Sequence, residues 1–170
     1  MKVYVRPEEP SDAPAVRRVN EQAFEGTLEA DIVESLRGAE GVISLVAVRN
    51  DSVVGHIMFT PVTLASAPAD LKVAGLGPMA VRPDLQRLGI GRQLVRDGLH
   101  HCRARGFKAV VVVGHPEYYP RFGFAPAHNW DLLYEHPLPR EAFMAMELEP
   151  GVLVGQHGVV RYRPEFSAGA

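Results

Sequence analysis

The spacing of apolar residues changes period several times along the chain, and each change marks an element. Residues 2–6, KVYVR, alternate as a strand does, and Pro7 ends them. From 11 to 24 the period lengthens to that of a helix. Ala15, Val16, Val19 and Ala23 share one face, Ser11 and Asp12 are good N-caps, and Pro14 is tolerated in the first turn. A second short helix spans 28–37, with Ile32, Val33 and Leu36 turned inward and Gly38 as its stop. Residues 42–49 and 53–64 read as two strands joined by the turn residues Asn50, Asp51 and Ser52.

The second half has the same mixed character. Residues 72–81 are β-like but carry Gly75, Gly77 and Pro78, which point to an edge or a bulge. Ile90, Leu94, Val95, Leu99 and Cys102 then form one helical stripe, with Gly106 placed to end the helix. Residues 107–114, FKAVVVVG, are a continuous apolar run, as in a strand buried on both faces. Residues 115–124 suit a short helix or turn. The strand-like pieces 143–148 and 158–163 alternate with Pro-rich loops, and 165–170, EFSAGA, reads as a frayed tail. No shift in composition interrupts this order, so 1–170 reads as a single domain.

Composition narrows the function classes. A chain of 170 residues with 46% hydrophobic and 22% charged residues can bury a sizeable core. A net charge of −2 gives no reason to expect nucleic acid as a partner, although arginine is dense between Arg82 and Arg105. The one cysteine, Cys102, allows no intrachain disulfide, which suits a reducing cytoplasm. The first residues lack the apolar core of a secretory leader, and no window is apolar enough to span a bilayer. Monomer and homodimer both fit this profile.

The segment LQRLGIGRQLV, 85–95, places Gly89 and Gly91 where a helix is about to begin. Glycine is a poor helix former, so close approach of a ligand is the natural compensation. A helix N-terminus presents backbone N–H groups without partners and a partial positive charge, which together suit a pyrophosphate. Without a Cβ at Gly89 and Gly91, phosphate oxygens can reach the N–H groups of 87–92, and Arg87 and Arg92 add charge. The dinucleotide fingerprint fails because Leu94 stands where its third small residue belongs. The P-loop fails because Arg92 and Gln93 follow Gly91.

QRLGIG, 86–91, preceded by MAVRPD, 79–84, resembles motif A of the GNAT superfamily of N-acetyltransferases. The order of elements is similar to that family from end to end, and YPRFGF, 119–124, resembles its signature after the fifth strand. The resemblance implies an α/β (α+β) fold with a central, mixed, strongly twisted sheet of about seven strands and helices on both faces. It implies a bulged fourth strand splayed from the fifth. It further implies an acetyl-CoA-dependent N-acetyltransferase, with no metal, acting on a primary amine of a small molecule or peptide by direct attack in a ternary complex. Arg87, Leu88, Gly89, Ile90, Gly91 and Arg92 would cradle the pyrophosphate. Met79, Ala80 and Val81 would pair with the pantetheine arm and supply an oxyanion donor. Tyr119 takes the position of the general acid, with Tyr118 as its neighbouring rival.

Two features depart from the family pattern or stay open. Many members carry an Asn at the start of a full helix before the tyrosine. Here GHPEYYPRFGF, 114–124, is too short for that helix and is constrained by Pro116 and Pro120, so the contact is absent or His115 replaces it. The fourth and fifth strands carry no carboxylate, so the base is His115, His56, Glu117 or water. His100, His101 and Cys102 cannot converge on one metal ion, because successive helix residues point about 100° apart. The resemblance assigns acceptor choice to 23–36, where Glu21, Glu25, Glu29 and Asp31 make the surroundings acidic, and to 130–143. A non-catalytic acyl-CoA sensor on the same fold is the alternative, and a ligand-free interaction protein the third reading.

Overall fold

The computed structural model describes residues 2–167. Its elements in chain order are β1 (Tyr4–Pro7), α1 (Ala13–Phe24), α2 (Leu28–Leu36), β2 (Ile43–Arg49), β3 (Ser52–Leu64), β4 (Val73–Val81), α3 (Ile90–Ala104), β5 (Ala109–Val113), β6 (Ala125–Pro126), β7 (Leu132–Tyr134), β8 (Phe143–Glu147) and β9 (Gly158–Arg161). The hydrogen-bonded strand order is β1-β2-β3-β4-β5-β8-β6, with β9 pairing β3 and β7 off that path. The sheet is mixed. The β4–β5 and β7–β9 ladders are parallel and those of β1–β2, β2–β3, β5–β8, β6–β8 and β3–β9 antiparallel. The seven strand-like segments of the sequence correspond to β1–β5, β8 and β9, and the short β6 and β7 are the two it does not contain.

The described residues gather into two compact units. One takes 2–59, 77–101 and 164–167, the other 60–76 and 102–163.

In the first unit β2 and β3 form a hairpin whose turn, Asn50 and Asp51, has φ of 49° and 61°. Two successive left-handed residues give the turn that matches strand twist, and Asn and Asp tolerate it best among residues with a side chain. Both faces of the hairpin are covered. Val46, Val48 and Met58 pack with Val16 of α1 and Ile32, Val33 and Leu36 of α2. On the other face Gly55 lies against Leu94 and beside Ala47, and Phe59 lies against Gly98 of α3. This two-sided burial explains why β2 reads as nearly continuous apolar sequence rather than alternating. The α3 stripe is as the spacing predicts, with Ile90, Leu94, Val95, Leu99 and Cys102 all buried.

Two local expectations are corrected in this unit. Asp12 does not cap α1. Its carboxylate receives both Nη atoms of Arg6 at 2.7 and 3.0 Å and the Glu9 N–H at 2.7 Å, so it closes the Pro10–Asp12 turn instead. The segment 164–167 is not a frayed tail, because it forms a 3-10 turn and Phe166 packs on the α1–α2 cluster. Residues 168–170 of that expectation lie outside the described residues.

In the second unit Leu64, Val73, Ala109, Val111, Leu132, Phe143, Ala145 and Val160 form the core. The β4–β5 ladder pairs Val73 with Ala109 through Leu76 with Val112. After α3, Gly106 adopts φ 85°. Its N–H bonds Arg103 O at 3.1 Å and that of Phe107 bonds Cys102 O at 3.0 Å, the paired closure of a Schellman cap.

Candidate active site

The first unit carries a turn built to expose backbone N–H groups. Past β4, Arg82 donates to Val54 O at 2.8 Å through its own N–H. Its guanidinium grips Asp84 at 2.7 and 3.1 Å, stiffening the Pro83–Leu85 turn. Gln86 Nε2 reaches back to Val81 O at 3.0 Å. Leu85 and Ile90 are buried, while the four residues between them are exposed. Gly89 O accepts the first helical bond, from Gln93 N–H at 3.1 Å. The N–H groups of Ile90, Gly91 and Arg92 therefore precede any helical acceptor.

Two residues in this turn are left-handed, Arg87 at φ 65° and Gly89 at φ 91°. A Cβ on Gly89 would meet nothing within 4 Å. The glycine is required by its backbone angle rather than by crowding within the chain. Arg87 and Arg92 are exposed, and Leu88 is 57% exposed. The Ile90 side chain faces the core, leaving only its backbone for a ligand. On β4, Met79 and Val81 are half-buried while Ala80 is buried, with its carbonyl 3.3 Å from where a Gly55 Cβ would stand.

Tyr119 belongs to the second unit. It opens the Tyr119–Phe122 3-10 turn, and the N–H groups of Tyr118 and Tyr119 both bond His115 O, at 3.1 and 3.4 Å. No full helix separates β5 from Tyr119, as the short 114–118 segment requires. The ring is buried edge-on against Tyr118 and Phe124, with centroids 5.1 and 5.7 Å away. Burial, followed by the nearby Tyr118, pushes the Tyr119 phenol up to about 12. It therefore keeps its proton throughout the physiological range. Tyr118 is placed differently, with the Arg121 guanidinium 4.4 Å above its ring.

The base candidates separate by burial. His115 and Glu117 are exposed. His56 is wholly enclosed and sits in a chain of hydrogen bonds. Ser44 Oγ donates to Glu8 at 2.6 Å and lies 2.8 Å from His56 Nε2, while Asn20 Nδ2 lies 3.3 Å from Nδ1. Since Ser44 spends its proton on Glu8, His56 donates from Nε2 and accepts at Nδ1. Burial, followed by the charge of Arg37, pushes its pKa down to about 3. His56 is thus held neutral within a buried hydrogen-bond network.

Sequence reading passed over Gly114, Tyr162 and Glu135, and took Gly75 as a mark of an edge or bulge rather than of close packing. A Cβ on Gly114 would collide with the Tyr119 ring. One on Gly75 would stand 2.6 Å from Tyr162 Cε2. Both glycines sit in strand-like sequence, where an isolated glycine does signal close approach.

Known proteins resemble the chain over most of its length. A family model described as "Acetyltransferase (GNAT) domain" matches residues 4–127. An Escherichia coli K12 protein named "Uncharacterized N-acetyltransferase YhbS" is 36% identical over 168 residues, 97% of this chain and 99% of its own length. The crystal structure of E. coli YhbS in complex with CoA superposes with a TM-score of 0.92 at 32% identity, covering all of this chain and 94% of that one. A GNAT family acetyltransferase from Brucella melitensis, solved with acetyl-CoA, gives 0.79 at 34% identity over 97% of this chain and 98% of its own. Family model, sequence relative and fold agree, and the chain belongs to the GNAT acetyltransferase family.

Proposed function

We propose that the chain is an acetyl-CoA-dependent N-acetyltransferase acting as one domain over 1–170. The observation that carries this reading is the exposed 86–89 turn leading into the open N–H groups of Ile90, Gly91 and Arg92. The two full-length structural relatives were solved with CoA and with acetyl-CoA, which supports the same ligand here.

The residues divide the work as follows. Backbone N–H groups of 87–92 and the side chains of Arg87 and Arg92 hold the pyrophosphate. Backbone groups of Met79, Ala80 and Val81 pair with the pantetheine arm, and one N–H stabilises negative charge on the thioester oxygen. Acetyl-CoA supplies the activated acyl group. The amine nitrogen attacks the carbonyl carbon, a C–N bond forms and the C–S bond breaks. Tyr119 gives its proton to the departing sulfur. Of the candidates His115, His56, Glu117 and water, the burial of His56 favours passing the amine proton to one of the other three. The expected setting is the cytoplasm, as a monomer or homodimer. No helix among the described residues is long and apolar enough to cross a membrane.

Calorimetry with CoA and acetyl-CoA, followed by thiol release across an amine panel, tests the reading. Binding with acetyl transfer supports it. Binding without transfer to any amine favours an acyl-CoA sensor. Absence of binding rejects both.

A further inference from the structure

The residue that follows β7 is a carboxylate in an aromatic setting. The Glu135 side chain is only 14% exposed. Its Oε2 accepts the Tyr162 backbone N–H at 2.6 Å, and its Oε1 lies 3.9 Å from Nε2 of the exposed His136, an ion-pair contact when that imidazole carries a proton. Tyr134 and Tyr162 flank it, their rings nearly perpendicular with centroids 5.7 Å apart, and His136 stands 5.6 Å from Tyr134. Withdrawing a carboxylate from water is costly unless a cation or several donors replace the solvent. An acid held among aromatic rings has the makeup of a cation site, because its charge and the ring faces attract the same ligand.

Tyr162 ties this group to the Tyr119 end of β5. Its hydroxyl donates to Val111 O at 3.4 Å, and its ring crosses Gly75, the ladder partner of Val111. Three residues further along the chain, about 10 Å of strand, Gly114 lies against the Tyr119 ring. Burial, then Tyr134, Tyr119 and Glu135, hold the Tyr162 phenol above its ordinary pKa. The carboxylate and the two phenols therefore share one electrostatic neighbourhood within the second unit.

We infer that Glu135, flanked by Tyr134 and Tyr162, recognises a positively charged group on the acceptor. The acceptor is then an amine bearing a second cationic group, rather than a neutral or acidic amine. This rests on the N-acetyltransferase reading above and adds to it a class of substrate. The reacting nitrogen lies toward Tyr119 and the second charge toward Glu135.

The test is calorimetry on the chain saturated with CoA, titrated with 1,6-diaminohexane and, separately, hexylamine. The two probes differ by one amino group. The wild type is expected to bind the diamine at least ten times more tightly. Glu135→Gln keeps an oxygen for the Tyr162 N–H and is expected to abolish that preference, with CoA affinity retained. Equal affinities in the wild type, or a preference that survives Glu135→Gln, overturns the inference. Should the variant fail to fold, the wild-type preference measured from 0.05 to 1 M NaCl decides. It must shrink with salt, and a salt-independent preference rejects the charge assignment. Failure of CoA itself to bind strikes the underlying enzyme reading instead.

Discussion

The ring of Tyr119 fills the space that a Cβ on Gly114 would need. The Gly114 N–H also bonds Ala142 O at 2.9 Å, so its backbone is not free to yield. Gly114→Ala should therefore push the phenol away from its position while leaving the phosphate turn untouched. The expected result is a fall in kcat of at least tenfold with acetyl-CoA affinity retained. Crystal structures and steady-state kinetics of the variant check it, and a full kcat would mean that the ring position is not critical.

Removing only the hydroxyl is the companion experiment. Tyr119→Phe keeps the ring packing and should lower kcat by roughly 10²–10⁴-fold, the range for a positioned general acid. Tyr118→Phe should be nearly silent. Because the Tyr119 phenol is pushed up to about 12, it stays protonated well beyond neutral pH. Any alkaline fall in wild-type kcat below about pH 10 must come from another group, and should persist in Tyr119→Phe. Its disappearance in the variant would assign that limb to Tyr119 and refute the raised pKa.

The two turn glycines should respond differently. Gly91 lies inside α3, where valine has the higher helix propensity, so Gly91→Val should keep the melting temperature. Its branched side chain beside the open N–H groups should cost at least tenfold in CoA affinity. Gly89→Val meets no neighbour but must adopt φ near 91°, a strain of about 1–2 kcal/mol that also redirects the turn. It should lose both stability and affinity. Unchanged calorimetric affinity in both variants would remove the pyrophosphate from this turn.

His56 predicts an acid sensitivity in the first unit. Its folded pKa of about 3 lies below the unfolded value near 6.5. Between those values the unfolded chain binds the extra proton, so stability rises with pH across the window. The contribution is complete above pH 6.5 and is lost as pH falls toward 3, with a slope approaching about 1.4 kcal/mol per pH unit. Urea unfolding from pH 4 to 7 measures it. His56→Gln should flatten the slope, and an unaltered slope would assign the acid sensitivity elsewhere.

What the sequence disclosed depended on how local each signal was. The α3 stripe, the Asn50–Asp51 hairpin and the glycine turn are written within a few neighbouring residues, and each formed where expected. The three-residue β7 is too short to show any period and exists through pairing with β9, more than twenty residues away. Asp12 looked like a cap because its role depends on Arg6 in a different element. His56 looked like a possible base because nothing adjacent reveals that Asn20 and Ser44 enclose it. Glu135 gave no signal at all, since its meaning comes from the Tyr162 N–H.

The packing of Phe166 on the cluster formed by α1, α2, β2 and β3 also governs when that cluster can be completed during synthesis. The helices α1 and α2 leave the ribosome early, yet the cluster they contribute to gains Phe166 only after β9 has been made. β3, β4 and α3 likewise each feed residues into both units. Neither unit can therefore mature as a contiguous nascent fragment, and closing such distant contacts costs loop entropy before the packing repays it. The face of the α1–α2 cluster that Phe166 covers therefore stays open until residue 166 has been made.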